Sequence, residues 1–126
     1  MKKKIDLLHV ALEQNDKEET DIFYNKILGL ELKKEFSIPS ELSEKIFNIK
    51  EKVDTRTYGN DNVLFELFFT KNKKFKEFDH VCIQIPDKQD FFDKCEKYSI
   101  KPLLVKKGEK TLIFVKDFTG NIFEIK

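Results

Sequence analysis

The chain has 126 residues, 40% of them hydrophobic and 37% charged, which is enough for one compact domain or for two half-domains sharing a core. A formal net charge of +1 provides no overall field favouring nucleic acid or an anionic membrane. No apolar run approaches the roughly 20 residues that span a bilayer, and "MKKKIDLLHV" has too short and interrupted an apolar part for a signal peptide. Cys82 and Cys95 form no disulfide framework or CxxC pair, so a reduced cytoplasmic protein is expected.

In chain order, alternation of apolar and polar residues predicts a first strand over 5–12. A helix follows over about 16–28, opened by Asp16 with Glu19 three residues on, and stopped by Gly29. Ile22, Phe23, Ile27 and Leu28 supply its core stripe. Strands are expected near 30–36, 52–58 and 62–69, the last two joined by the hairpin signal "YGND" (58–61). Between the first two of these, "PSELSEKIF" reads as a short helix over one end of the sheet. After the lysine-rich "KNKKFKE" (71–77) come a strand over 79–85 and a helix over 87–98. Asp87 caps that helix, and Phe91, Cys95 and Tyr98 form its core stripe. Strands near 103–107, 111–116 and 121–126 close the chain, with "DFTGN" (117–121) turning into the last one.

The order β-α-β-β-β thus occurs twice, and the residues repeat with it. His9-Val10 falls on His80-Val81, Asp16-Lys17 on Asp87-Lys88, and Phe65-Glu66-Leu67 on Phe123-Glu124-Ile125. His9 and Glu66 are 57 positions apart, while His80 and Glu124 are 44 apart. The unmatched stretch at 36–48 absorbs the surplus of 13. The expected organisation is a single domain, 1–126, with module 1 at about 1–70, a linker at 71–77 and module 2 at about 78–126.

Strand periodicity places Leu64, Glu66 and Phe68 on one face and Val63, Phe65, Leu67 and Phe69 on the other. Likewise Glu124 stands opposite Phe123 and Ile125, and His80, Cys82 and Gln84 stand opposite Val81, Ile83 and Ile85. An ionised carboxylate in an apolar strand is costly to bury unless something pairs with it or binds it. A lone histidine or glutamate in a strand is ordinarily structural. Four at repeat-equivalent places, the chain's only two histidines among them, are a ligand set for a divalent first-row metal, whose charge would offset the burial of Glu66 and Glu124.

The pieces "LHVAL", "FYNKILGLEL", "LFELF", "DHVCIQI" and "FVKDFTGNIFEI" resemble the vicinal oxygen chelate superfamily, which includes glyoxalase I, methylmalonyl-CoA epimerase, extradiol dioxygenases, fosfomycin-resistance transferases and bleomycin-binding proteins. The ending resembles that superfamily's Asp-Pro-x-Gly-Asn-x-x-Glu signature, with Phe118 in place of proline. The likeness covers nearly the whole chain outside the 36–50 insert. It implies an α+β fold of two βαβββ modules, their mixed sheets curled as a half-barrel around a metal site, with helices outside. His9, Glu66, His80 and Glu124 fall on the four metal-ligand positions, as in metal-dependent glyoxalases. The sequence departs from bacterial glyoxalase I enzymes at Glu13, where they commonly carry an arginine for the glutathione carboxylate, and at Thr70, where they carry asparagine. Glutathione is therefore not carried over as the thiol.

The resulting expectation is a metal-dependent lyase or isomerase of glyoxalase type, using one divalent ion (Ni, Co, Zn or Mn) and a small α-hydroxycarbonyl or thiol adduct. The metal would hold two neighbouring substrate oxygens and stabilise an enediolate as Lewis acid. Glu66 or Glu124 would move the proton, with Glu124 preferred because fewer bulky neighbours restrain it. Arg56, the only arginine, is the candidate anchor for a substrate anion, and Phe68, Phe114 and Cys82 are candidate lining residues. The alternatives are a methylmalonyl-CoA epimerase-like enzyme and a non-catalytic binding or resistance protein of the same fold. A homodimer is expected, since open half-barrels leave edges to be covered. The modules would pair either within a chain or between chains.

Overall fold

The computed structural model describes residues 6–72 and 78–126; residues 73–77 of the expected linker, and residue 5 of the first expected strand, lie outside the described residues. Module 1 runs β1 (Val10–Gln14), α1 (Lys17–Asp21) continued as a π-helix (Ile22–Ile27), β2 (Glu31–Ile38), α2 (Ser40–Phe47), β3 (Val53–Gly59) and β4 (Leu64–Phe69). Module 2 runs β5 (His80–Ile83), α3 (Lys88–Lys97), β6 (Leu103–Lys107), β7 (Lys110–Lys116) and β8 (Ile122–Ile125). The strand orders are β1-β4-β3-β2 and β5-β8-β7-β6, with β1/β4 and β5/β8 parallel and the remaining pairs antiparallel. This is the expected α+β architecture of two βαβββ modules with open, curled sheets.

Local chemistry accounts for the elements. The Asp16 carboxylate accepts from the Glu19 amide at 2.8 Å, and Asp87 from the Asp90 amide at 3.0 Å, so both expected caps form. Gly29, at φ 74°, lies in the left-handed region that ends the first helix. The expected 16–28 helix is α-helical only at its start. In the rest Leu28 N–H reaches back five residues to the Phe23 carbonyl at 3.0 Å, and the Asn25 side chain donates to the Leu30 carbonyl at 2.7 Å. These wider turns leave the consecutive residues Phe23 and Tyr24 both fully buried. The β3–β4 turn is fixed by Asn60, whose side-chain oxygen accepts from the amides of Asn62 and Val63. Gly59 precedes it because a Cβ there would lie 2.5 Å from the Val63 carbonyl oxygen.

β1 starts later than expected, at Val10, because its parallel register with β4 begins at Val10 opposite Phe65. The helix α2 lies over one end of the module 1 sheet, with the Phe47 and Phe68 rings 5.4 Å apart.

One apolar cluster spans both modules: Phe23 and Tyr24 from the first helix, Phe65 from β4, Phe91 and Cys95 from α3, and Phe123 from β8. Phe123 joins the modules there, with ring centroids 5.4 Å from Phe23, 6.2 Å from Tyr24 and 5.8 Å from Phe65. Burial pushes the Cys95 thiol up to about 11, leaving it an inert core residue.

Beside this cluster lies a buried polar junction. The Asp117 Oδ1 accepts from the amides of Thr119, Gly120 and Asn121 at 2.9–3.0 Å, closing the turn into β8. Its Oδ2 accepts from Gln14 at 2.6 Å, Tyr24 at 2.8 Å and Asn121 at 2.9 Å, so one carboxylate joins β1, the first helix and β8. The Asn121 side chain also donates to the Glu13 carbonyl, and Asn15 N–H donates to Thr119 Oγ1. Burial, then the adjacent Asp117 charge, raises the Tyr24 pKa well above its ordinary value, so Tyr24 remains a donor.

Asp117→Ala strands up to six donors and is expected to cost about 3–5 kcal/mol, against about 1–2 kcal/mol for Tyr24→Phe. Urea denaturation of the two variants measures both, and similar losses would show that Asp117 is not the centre of the junction.

Candidate metal centre

Directly paired residues on neighbouring strands face the same side of a sheet. In module 1, Glu66 pairs with Ala11 on β1 and Thr57 on β3, and Phe68 pairs with Glu13 and Thr55. His9 sits one residue before β1, at the alternation position that continues Ala11 and Glu13. Its Nε2 lies 3.9 Å from Glu66 Oε2. In module 2, Glu124 pairs with Cys82 on β5 and Phe114 on β7, while His80 pairs with Ile122. His80 Nε2 lies 3.5 Å from Glu124 Oε1.

β4 and β8 are interior strands, each flanked on both sides, so neither glutamate sits at a sheet edge. The side chains of Glu66 and Glu124 are 24% and 19% exposed, held mostly out of water. His80 Nδ1 is 3.0 Å from the Phe78 carbonyl oxygen, a contact that leaves Nε2 directed at Glu124 when Nδ1 carries the proton. The Lys126 ammonium is 3.7 Å from Glu124 Oε2.

Whether such pairs fit a metal is a question of spacing. Donors about 2.1 Å from one tetrahedral ion are about 3.4 Å apart, and wider angles move them further. The distances of 3.5 and 3.9 Å suit two neighbouring ligands of one ion in each module. The donor chemistry also fits, one imidazole and one carboxylate per pair. The two pairs are separate, however. Among the described residues of one chain, no three His, Cys, Asp or Glu side chains come close enough to hold an ion together. Within one chain the four expected ligands therefore fall as two separate His–Glu pairs, His9 with Glu66 and His80 with Glu124.

Cys82 and Phe114 share the Glu124 face, with the Phe114 ring 6.3 Å from the His80 ring. Phe68 shares the Glu66 face and lies under α2. Glu13 shares it too, and accepts from the Thr70 hydroxyl at 3.0 Å. That ties together the two positions at which the sequence departs from the glutathione-using enzymes and leaves a negative charge beside Glu66.

Arg56 is placed elsewhere. It pairs with Leu67, so it projects from the helix side of the sheet, opposite Glu66. There its Nε donates to Glu35 at 2.8 Å and its Nη1 to the Lys17 carbonyl and the Tyr58 hydroxyl. Burial works against its charge, but the hydrogen bonds to Glu35 and Tyr58 outweigh it and raise its pKa. Sequence reasoning did not single out Lys126, one strand period beyond Glu124 and for that reason on its face.

No protein-family model and no curated protein matches the chain by sequence. By structure it is similar to a glyoxalase family protein from Enterococcus faecalis, with 16% identity, 95% of each chain covered and a TM-score of 0.71. It is also similar to the genomically encoded fosfomycin resistance protein FosX from Listeria monocytogenes, with 13% identity, 98% of this chain and 93% of that one covered, and a TM-score of 0.73. A mutant of that protein, crystallised with Mn(II) and 1S,2S-dihydroxypropylphosphonic acid, gives 15% identity, 95% and 90% coverage and a TM-score of 0.73. No helix among the described residues is long and apolar enough to cross a membrane. At these identities the likeness is one of architecture: the chain has the vicinal oxygen chelate fold found in glyoxalase-family proteins and FosX.

Proposed function

We propose that this protein is a metal-dependent lyase or isomerase of glyoxalase type, working in the cytoplasm as a homodimer whose metal centres form between copies. The observation that carries the reading is the pair of repeat-equivalent His–Glu contacts, at 3.9 and 3.5 Å, on the same face of two equivalent sheets. Since one chain keeps them apart, a second copy is the economical way to bring His9 and Glu66 opposite His80 and Glu124. Two half-sites per chain then make two full sites per dimer.

A bound divalent ion (Ni, Co, Zn or Mn) would supply Lewis-acid polarisation of the substrate oxygens. The protein's own residues do the rest. The histidines and glutamates orient the reacting carbons, and the apolar strand faces exclude water. One carboxylate accepts a proton from a carbon beside a carbonyl and returns it to the neighbouring carbon. Glu124 suits that role, because Lys126 at 3.7 Å offers its charge a partner when the carboxylate swings away from His80. Glu13 beside the site disfavours glutathione's carboxylate, so the substrate is a small α-hydroxycarbonyl or another thiol adduct. Arg56, ion-paired on the far face, is not assigned to it. The FosX likeness supports a second reading, a fosfomycin resistance enzyme.

Calorimetric titration with Co(II) is expected to give one ion per chain, with Glu66→Gln and Glu124→Gln each weakening it by at least about tenfold. Glu124→Gln should lose a further factor of about 100 or more in turnover of metal-saturated enzyme on methylglyoxal adducts, since an amide accepts no proton. Losses that track metal occupancy alone in both variants would remove the base assignment. Turnover of fosfomycin in place of the adducts would select the second reading.

Sedimentation equilibrium at micromolar concentration should give twice the 15.0 kDa chain mass. A monomer that nevertheless binds one ion per chain would overturn the shared site.

A further inference from the structure

The repeat duplicates the His–Glu pairs but not what surrounds them. Phe114 holds the place in module 2 that Thr57 holds in module 1, each paired directly with its glutamate. One strand further out, Leu103 stands opposite Phe114 where Lys34 stands opposite Thr57. At these two positions module 1 carries polar side chains and module 2 apolar ones. On the module 2 side there is also a cavity of about 640 Å³, with His80 in its wall, Leu103, Phe114 and Ile122 as apolar lining, and Lys101 and Lys116 at its edge. That volume is in the range of pockets that take small organic ligands, and the mixture of apolar walls with a few polar groups is typical of them.

We infer that this cavity receives an apolar arm of the substrate, carrying an anionic group that Lys101 and Lys116 recognise. The inference rests on the proposed function for the reacting end, which lies at His80 and Glu124, and it names the class of molecule: a hydrophobic organic anion with its reactive oxygens at one end. A flat or branched apolar group lies against the Phe114 ring, 6.3 Å from the His80 ring, and displaces water from Leu103. The two ammonium groups favour the anion and disfavour neutral or cationic analogues of the same shape. Module 1, with Lys34 and Thr57 at the matching places, faces the small polar end.

Anilinonaphthalene sulfonate, an apolar anion, serves as the probe on the intact protein, read by fluorescence titration alongside Co(II) binding. Saturable binding at one site per chain is expected. Leu103→Glu should weaken it by about tenfold or more, and the Lys101→Glu, Lys116→Glu double variant by several-fold, with Co(II) affinity retained. Leu104→Glu is the control, because Leu104 is as exposed as Leu103 (59% against 60%) but points to the opposite face of β6. Equal weakening by Leu103→Glu and Leu104→Glu, or none by either, would overturn the pocket. The metal reading fails separately: probe binding with this variant pattern but no Co(II) binding would keep the pocket and discard the metal centre.

Discussion

The arrangement of both modules depends on the Asp117 carboxylate. Burying a charge is expensive, and here six donors offset it, three from the turn that Asp117 itself begins and three from Gln14, Tyr24 and Asn121. The first three fix the direction in which the chain enters β8, and hence where Glu124 points. Gln14 and Tyr24 fix module 2 against module 1. Because the same group does both, the position of a module 2 glutamate is coupled to the packing of a module 1 helix. The aromatic cluster around Phe123 adds apolar area to the same contact, one residue before Glu124.

With the helices and the apolar strand faces used up in that shared core, the opposite faces of the two sheets carry the remaining chemistry. Glu66 and Glu124 sit in interior strands, where the ladder fixes the backbone on both sides, so their carboxylates are held by rigid elements and not by loops. Within one chain each carboxylate has a single histidine beside it, and Glu124 has Lys126 as well. An incomplete pairing of this kind, twice over and at equivalent places, is what gives the proposed second copy and its shared ion their physical rationale.

Much of this was legible in the sequence because it rests on local rules. Asp16 and Asp87 cap their helices, Gly29 ends the first, and period-two alternation puts Glu66 and Glu124 on the correct faces. What was not legible depends on contacts between distant segments. Gln14 reads as an ordinary strand residue and Tyr24 as one ring in an apolar stripe; the carboxylate they share, Asp117, lies more than 90 residues away in the turn at 117–121. The π-helical winding that leaves Phe23 and Tyr24 both buried is recorded by no propensity. The face of Arg56 hangs on the register set by Asn60 in a turn that admits more than one pairing, and a slip of one residue would have put it beside Glu66. The separation of the two His–Glu pairs is likewise a tertiary fact: symmetry of sequence says that they are equivalent, not that they meet.

Equivalence also has a limit that bears on specificity. A repeat that supplies the same two donors from each module makes a centre that cannot itself tell one end of a substrate from the other. Direction has to come from residues that the repeat does not preserve. In the proposed centre those would be on the strands next to the glutamates, Lys34 and Thr57 against Leu103 and Phe114, together with α2, which covers Phe68 in module 1 and has no counterpart in module 2. The proposed ligands sit at positions where any change would remove a donor, whereas their neighbours can change polarity without disturbing the ladder that holds them. On the proposed reading, a duplicated scaffold would in this way keep a symmetric centre and still bind an unsymmetrical molecule in one orientation, with its polar end toward module 1 and its apolar end toward module 2.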